Sequence, residues 1–489
     1  MSGRARPWDA PRIPVLLALF SGSALVEAVR CSSLSSLLNA DMWWHLSSGL
    51  WILHQYAFPH TGLFSQSSDT PWVATSWTYD LNLAIFYQVM GLRAIPVFTM
   101  SFRAGLAVVT FLIAGGRRRN FWTAVALSLV AQYILAAAQP TPAYGSILLF
   151  GVELQLLLES RRVANLTPLF WLPPIFLFWA NVDVHFVYGL ALFALFLASL
   201  ALENVLPAGE THSLAQAKVA TIVAFSLLAT ILTPYFYHPY GVFFSTTFSA
   251  ANAYLPDHKA PGFRQPQDYI LLLLAMSAFL ALGLRRSRDL FLIALLAICA
   301  GLSFYAQRDV WLVVLAALAV IGEMLPTRAA AAPDKTRRAE GMPMRDLLIS
   351  GSLAFVLFAV GAAVLLPRGS EALLAKAGES YPVAAGNFIR EQQLPPPLFN
   401  AFEWGGFLTW YLPEYPVAID SRADLYGDDF VIQYSKVMNA KVRYTDFPAL
   451  ANARTIVLPR TAIMAEALKT VPGYKVAYRD SVALVLEKE

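Results

Sequence analysis

Long apolar runs, each bordered by a cluster of Arg or Lys, fill the chain as far as residue 366. Arg4, Arg6 and Arg12 precede the run from Ile13 to Val29, and Arg117, Arg118 and Arg119 follow the run from Ala94 to Ala114. Arg161 and Arg162 follow Ser146–Leu158, and Arg285, Arg286 and Arg288 follow Ile270–Leu284. Arg328, Lys335, Arg337, Arg338 and Arg345 fill the polar stretch before Leu347–Leu366. Runs of this length suffice to cross a hydrocarbon core about 30 Å thick. Basic charge in short loops faces the cytoplasm. Putting every cluster inside predicts about eleven spans, near 12–30, 92–114, 121–138, 143–159, 166–180, 186–203, 217–233, 269–284, 289–305, 309–326 and 347–366. The N-terminus is then cytoplasmic and 367–489 lies outside. Trp77–Met90 is apolar enough for a short span, but counting it would put Arg117–Arg119 outside. It is read as a helix lying against the bilayer. The alternative for the first run is a cleaved signal peptide.

Two polar pieces face outward in this arrangement: a loop at about 31–80 and the tail 367–489. The chain therefore divides into a membrane domain, 1–366, and a terminal domain, 367–489. The tail alternates helix and strand. Val383–Gln392, Glu403–Leu412, Phe430–Met438 and Ala462–Lys469 read as helices. Leu398–Asn400, Val417–Asp420 and Thr455–Leu458 read as strands, and Tyr474–Tyr478 pairs with Val482–Leu486 as a hairpin. The expected fold is a polytopic α-helical membrane protein with a small C-terminal extracytoplasmic α/β domain, large enough for its own core.

Composition agrees with that pattern. Hydrophobic residues make up 57% and charged residues 14% of 489, against about 25% charged in a soluble domain. Mean hydropathy is +0.53. These values exclude an ordinary cytosolic enzyme, a disordered chain and a fibrous repeat. A net charge of +4 gives no footprint for nucleic acid. Cys31 and Cys299 cannot make a disulfide framework.

The other polar residues follow the same sidedness. Six of seven histidines, His45, His54, His60, His185, His238 and His258, fall outside, and only His212 falls inside. Asp41, Asp69, Asp183, Asp257, Arg264, Arg308 and Asp309 also fall at outer span ends. Titratable groups at a membrane surface are costly unless solvated or paired, so a cleft at the outer leaflet is the expected site. In the segment Asn39-Ala40-Asp41-Met42-Trp43-Trp44-His45, a helix puts Asp41, His45 and Ser48 on one face. Five of the twelve tryptophans lie between Trp43 and Trp77, which predicts a helix along the outer interface. The structural alternative makes Asp41 a helix N-cap. Three further outer segments are expected to meet it. They carry Asp183 and His185, Tyr235 and His238, and Arg308 with Asp309. With Trp44 they line the predicted substrate cavity. Asp41, His45, Asp183 and His185 are candidate ligands for a divalent metal such as Mg or Mn, although their spacing matches no metal motif. Arg308 is the candidate for gripping a lipid phosphate, guanidinium being a bidentate partner for phosphate oxygens; its alternative is a pair with Asp309. Arg103, in mid-span, calls for a buried acid or a shifted span.

Two motifs carry a resemblance. The first is Asp41-x-Trp43-Trp44-His45-Leu46, followed by Gly49, Pro59-His60-Thr61, Phe64-Ser65, Trp72 and Trp77. The second is Phe399-Asn400, Trp404-Gly405-Gly406-Phe407-Leu408 and Ile419-Asp420-Ser421-Arg422-x-Asp424-Leu425-Tyr426-Gly427. With the span count and outer tail, the chain resembles bacterial members of the GT-C glycosyltransferase superfamily, and more distantly the protein O-mannosyltransferases. The resemblance implies a polyprenyl-phosphate-linked sugar donor and transfer at the outer leaflet of the bacterial inner membrane, with inversion at the anomeric carbon. The acceptor is an envelope glycan, lipid or protein. The resemblance makes Asp41 the general base, with His45 beside it where many members carry a second acid. Arg308, Arg264 and Lys259 become candidates for the departing lipid phosphate. In the tail, Asp420, Arg422, Asp424 and Asp428 either line a polar cleft or pair among themselves as a structural turn. Two other functions remain open: a non-catalytic scaffold or assembly factor that kept the frame, and a lipid-linked glycan transporter. The last predicts acids near mid-bilayer.

Overall fold

The computed structural model describes residues 12–32, 39–116, 121–136, 141–205, 215–325, 344–366 and 369–488. The basic residues at 4, 6, 117–119 and 328–338, and His212, lie outside the described residues. The chain begins with α1 (Arg12–Ser32), α2 (Ala40–Gln55), α3 (Trp77–Met90), α4 (Ala94–Gly115), α5 (Phe121–Leu135) and α6 (Ala143–Val163). Then come α7 (Leu172–Trp179), α8 (Phe186–Val205), α9 (Gln216–Ala229), α10 (His238–Thr247), α11 (Pro266–Arg285), α12 (Leu290–Tyr305), α13 (Val310–Met324) and α14 (Met344–Leu365). Every predicted apolar run forms helix, and the run at 166–180 opens on a 3-10 segment. Thr167–Trp171 is a 3-10 turn, and α7 starts only at Leu172 because Pro173 and Pro174 fit the first turn, where no N–H is needed. Among the described residues, Trp77–Gly115, Ala143–Val163, Phe186–Glu203 and Pro266–Arg285 are long and apolar enough to cross a membrane, and six shorter apolar helices accompany them. The molecule is a helical membrane protein.

Arg161 and Arg162 are not simply solvated. Arg161 pairs with Asp289 at 3.0 Å and Glu203 at 3.3 Å, while Arg162 pairs with Glu323 and with Glu159, the latter at 3.2 Å. These pairs stitch α6 to α8, α12 and α13. They sit about 27 Å along α6 from Tyr144, at 1.5 Å per residue. Arg103 is held by carbonyl groups and a ring. Its guanidinium donates to the Leu135 and Ala136 carbonyls at 2.6 and 3.0 Å and lies over the Tyr144 ring. These carbonyls end α5 and lack intrahelical donors.

The terminal unit holds α15 (Ser370–Ala377), α16 (Val383–Glu391), α17 (Phe402–Tyr411), α18 (Ala423–Tyr426), α19 (Asp428–Met438), α20 (Pro448–Ala451) and α21 (Ile463–Leu468). Its strands are β1 (Leu398–Asn400), β2 (Thr455–Pro459), β3 (Tyr474–Arg479) and β4 (Ala483–Lys488), ordered β1-β2-β4-β3. β1 runs parallel to β2, and β4 is antiparallel to both β2 and β3. The predicted hairpin forms. Val417–Asp420 does not join the sheet. Val417 pairs instead with the first loop, through Val417 N to Phe64 O at 3.0 Å and Gln66 N to Val417 O at 2.9 Å.

The first loop departs most from expectation. Its helix α2 packs under the terminal unit, so that Trp43 lies in a protein core rather than at a headgroup layer. Trp43 is fully buried, edge-on to Tyr381 and Phe407 and tilted on Trp410. Met42, Trp43 and Leu46 share one hydrophobic core with Phe399, Phe407 and Leu484, so first loop and tail fold as one body. Two glycines permit the approach. A β-carbon at Gly49 would overlap the Asp80 carbonyl of α3, and one at Gly406 would overlap the Ala40 carbonyl.

Candidate active site

Where this double layer meets the helix bundle, a cavity of about 770 Å³ opens. Asp41, Trp44, His45, Asp183, His185 and Arg308 all line it. Tyr235 does not. It is 5% exposed, packs with Trp72 and Leu425, and its hydroxyl donates to Pro59 O at 2.6 Å. His238 is held by Nδ1 against Tyr235 O at 2.8 Å, and Lys259 and Arg264 are exposed outside the cavity lining.

Asp41 stands in the first turn of α2, but Asn39 performs the capping: its side chain accepts from Asp41 N at 2.7 Å. The Asp41 carboxylate is thereby left for the cavity. His45, one turn on, is 3% exposed, and its Nδ1 lies 2.6 Å from Asp80 Oδ1. Trp44 lies against it, tilted by 32° with centroids 3.6 Å apart, and donates from Nε1 to Ser421 Oγ at 3.1 Å. His45 thus presents a fixed ring.

Asp183 and His185 come from the loop between α7 and α8. Asp183 Oδ2 accepts from Ser146 Oγ at 2.5 Å and from His185 Nδ1 at 2.7 Å, and Trp179 Nε1 donates to Ser146 Oγ at 2.7 Å. Burial works to raise the Asp183 pKa, yet His185, Ser146 and the Val184 amide hold it below the usual value. Burial likewise works against a charged His185, yet Asp183 raises its pKa. The two behave as an ion pair. Among the described residues, no three His, Cys, Asp or Glu groups gather closely enough to hold a metal ion. Both histidines engage a carboxylate through Nδ1, His45 with Asp80 and His185 with Asp183.

Arg308 sits on the 3-10 turn Gln307–Asp309. Its Nη1 donates to His258 Nε2 at 3.1 Å, while its Nε lies 3.8 Å from Asp309 Oδ2, which takes the Tyr188 hydroxyl at 3.1 Å. Sequence reasoning left Asp257 and His258 among general outer-facing residues, yet both line the cavity from the 3-10 turn Pro256–His258. The signal available was their place on the same polar loop. Burial raises the Asp257 pKa, and the Asp41 charge raises it further against the pull of Arg308. Glu153 was also passed over. It sits in the middle of α6, 0% exposed, and neither carboxyl oxygen has a hydrogen-bond partner among the described residues.

The tail motif divides between its two readings. Asp424 and Asp428 line the cavity, whereas Arg422 and Asp420 form a buried pair with Nη2–Oδ2 at 2.6 Å. Arg422 Nη2 also donates to Leu63 O at 2.9 Å, and the guanidinium lies 4.9 Å from the Trp72 ring and 5.7 Å from the Trp44 ring. Asp424 Oδ2 accepts from Trp72 Nε1 at 3.1 Å. Asp428 accepts from Ser249 Oγ at 2.6 Å and Ala250 N at 2.8 Å. The motif fastens the roof to the first loop and to the segment after α10.

No protein-family model matches the chain, and no curated protein sequence matches it. Solved structures do. An oligosaccharyltransferase from Archaeoglobus fulgidus, tethered with an acceptor peptide containing the NVT sequon, aligns with 99% of this chain and 74% of its own length, at TM-score 0.52 and 9% identity. The archaeal oligosaccharyltransferase AglB from Archaeoglobus fulgidus, in complex with an inhibitory peptide and a dolichol-phosphate, aligns with 92% of this chain and 69% of its own, at TM-score 0.50 and 9% identity. ArnT from Cupriavidus metallidurans, bound to undecaprenyl phosphate, aligns with 96% of this chain and 97% of its own, at TM-score 0.47 and 14% identity. At these identities the likeness is one of fold, shared with the archaeal oligosaccharyltransferases.

Proposed function

We propose that this protein is a glycosyltransferase that moves a sugar from a polyprenyl-phosphate donor to an envelope acceptor at the outer leaflet of the bacterial inner membrane. The observation that carries the reading is the convergence of Asp41 and Arg308, from opposite ends of the membrane domain, on one cavity roofed by the terminal unit. In the reaction, an acceptor hydroxyl attacks the anomeric carbon of the donor. The bond from that carbon to the lipid phosphate breaks, and its electrons stay on the phosphate oxygen. Asp41 takes the proton of the hydroxyl, as a general base must in such a displacement. Arg308 meets the negative charge that develops on the phosphate, where a preplaced cation lowers the barrier. Attack opposite the leaving group inverts the anomeric carbon. His45, Trp44, Asp183 and His185 shape the space around the sugar.

The test is Asp41→Asn in the native host, reading envelope glycans alongside protein level. Loss of one glycan at unchanged protein level is expected. An unchanged glycan profile removes Asp41 from the reaction and favours a scaffold that kept only the frame.

A further inference from the structure

We infer that His258 is a positioning residue for Arg308, holding it in place without neutralising it. The inference rests on the reading of Arg308 as the phosphate-binding cation. A guanidinium carries donors only. The Arg308 Nη1 contact with His258 Nε2 at 3.1 Å therefore requires an unprotonated Nε2, so the imidazole is neutral with its proton on Nδ1. The surroundings enforce that state: burial and the Arg308 charge bring the His258 pKa down to about 4. The two turns are also joined through the backbone, Gln307 N donating to Lys259 O at 2.8 Å. The nearest carboxylate at 3.8 Å, Asp309, stands beyond hydrogen-bond reach of Arg308 Nε, and that Nε has no hydrogen-bond acceptor among the described residues.

The arrangement has a clear electrostatic meaning. A carboxylate partner would fix an arginine equally well but would cancel much of its field. A neutral imidazole fixes the side chain without adding a second negative charge to that of Asp309 at 3.8 Å, so more of the positive charge remains for an incoming phosphate. That matters in this cavity, whose lining also carries Asp41, Asp257, Glu403 and Asp424. A phosphate entering among these carboxylates depends on the positive charge that Arg308 retains.

The experiment compares His258→Gln with His258→Glu in the full-length protein, both checked for a single size-exclusion peak in detergent. The two side chains match in shape and differ in charge, so a purely structural role moves both alike. Affinity for undecaprenyl phosphate is read by titration, with Arg308→Ala as control. His258→Gln should bind within about twofold of wild type, and His258→Glu about tenfold or more weaker, the order expected from an anion placed against a part-buried guanidinium. Equal binding by the Gln and Glu variants overturns the role of His258 while leaving Arg308 as the phosphate cation. Undiminished binding by Arg308→Ala overturns the phosphate reading itself, and this inference with it. A second measurement needs no variant: 15N NMR of histidine-labelled wild type at pH 7 should show His258 protonated on Nδ1. Protonation on Nε2 overturns the inference.

Discussion

Removing one partner from the Asp420–Arg422 pair should cost more than removing both. The side chains are 0% and 1% exposed, and Arg422 reaches Asp420 through Nε at 3.0 and 3.1 Å and through Nη2 at 2.6 Å. Burial opposes the charge on Arg422, but Asp420 more than offsets it and raises its pKa. Asp420→Asn keeps the shape and leaves a guanidinium in a dry site without its counter-charge. Breaking such a pair from one side costs about 3–5 kcal/mol. The Leu63 carbonyl and the Trp44 and Trp72 rings still hold the cation, and such ring contacts are worth about 0.5–2 kcal/mol, so the lower end applies. Asp420→Leu with Arg422→Met removes both charges. It loses the bond to Leu63, about 1.5–3 kcal/mol for a charged donor, and the ring contacts, but strands no ion and recovers the desolvation cost of two buried charges, several kcal/mol per ion. The double variant should therefore melt above the single one. Unfolding in detergent followed by tryptophan fluorescence suits the question, because Trp44 and Trp72 lie at the junction. Protease cleavage in the first loop should track the same order. A double variant that melts at or below Asp420→Asn would refute the reasoning, since Arg422 would then act through its contacts with the loop and rings rather than through charge compensation.

Other outcomes follow from single contacts. Gly406→Val should separate α2 from α17 by overlap with the Ala40 carbonyl, lowering the melting temperature and opening the first loop to protease. Arg103→Met removes two bonds to the carbonyls that end α5, and charge-assisted bonds of that kind are worth about 1.5–3 kcal/mol each; a lower melting temperature in detergent checks it. Asp428 has its pKa lowered by the Ser249 hydroxyl and the Ala250 amide. A depressed folded-state pKa gives stability that is present above the unfolded value near 3.9 and is lost as pH falls through the folded one. Below about pH 4 the Ser249 clasp should therefore weaken, by a small amount because the group is solvent-screened. Asp428→Asn should remove that part of the acid dependence, read as protease sensitivity between pH 5 and 3.

The helices were legible because hydrophobic runs of membrane length leave few alternatives, and the proline pair marks where one of them turns from 3-10 to α-helix. In the tail, the hairpin at Tyr474–Tyr478 and Val482–Leu486 announced itself by β-branched and aromatic residues around a polar turn. Val417–Asp420 looked like a strand for the same reason. Its partner proved to be Phe64–Gln66, some 350 positions earlier in sequence, and local pattern carries no information about so distant an edge. Trp43 was misplaced for a related reason. An indole near a membrane has two low-energy homes, the headgroup layer and a protein core, and composition cannot choose between them. Gly406 against Ala40 decides the matter through backbone approach. At the site, Asp41 and Arg308 were visible as costly charges near span ends. His258 was not, because its importance lies in which nitrogen meets Arg308 rather than in being a histidine.

The shared core also joins cavity residues that lie far apart in the chain. The membrane bundle offers Arg308, Asp183 and His185 on short turns, which by themselves leave an open polar surface. The terminal unit brings Asp424 and Glu403 but no cation among the lining residues described. Only α2, clamped between α3 and α17, places Asp41 where both walls meet. Its position is fixed by contacts on both sides: Gly49 against Asp80 below, and Gly406 against Ala40 above. A base that must reach a hydroxyl within about 3 Å tolerates little movement. Any loosening of the roof therefore acts on Asp41 first, and under the proposed function roof variants that still fold should lose turnover before they lose affinity for the lipid phosphate assigned there to Arg308.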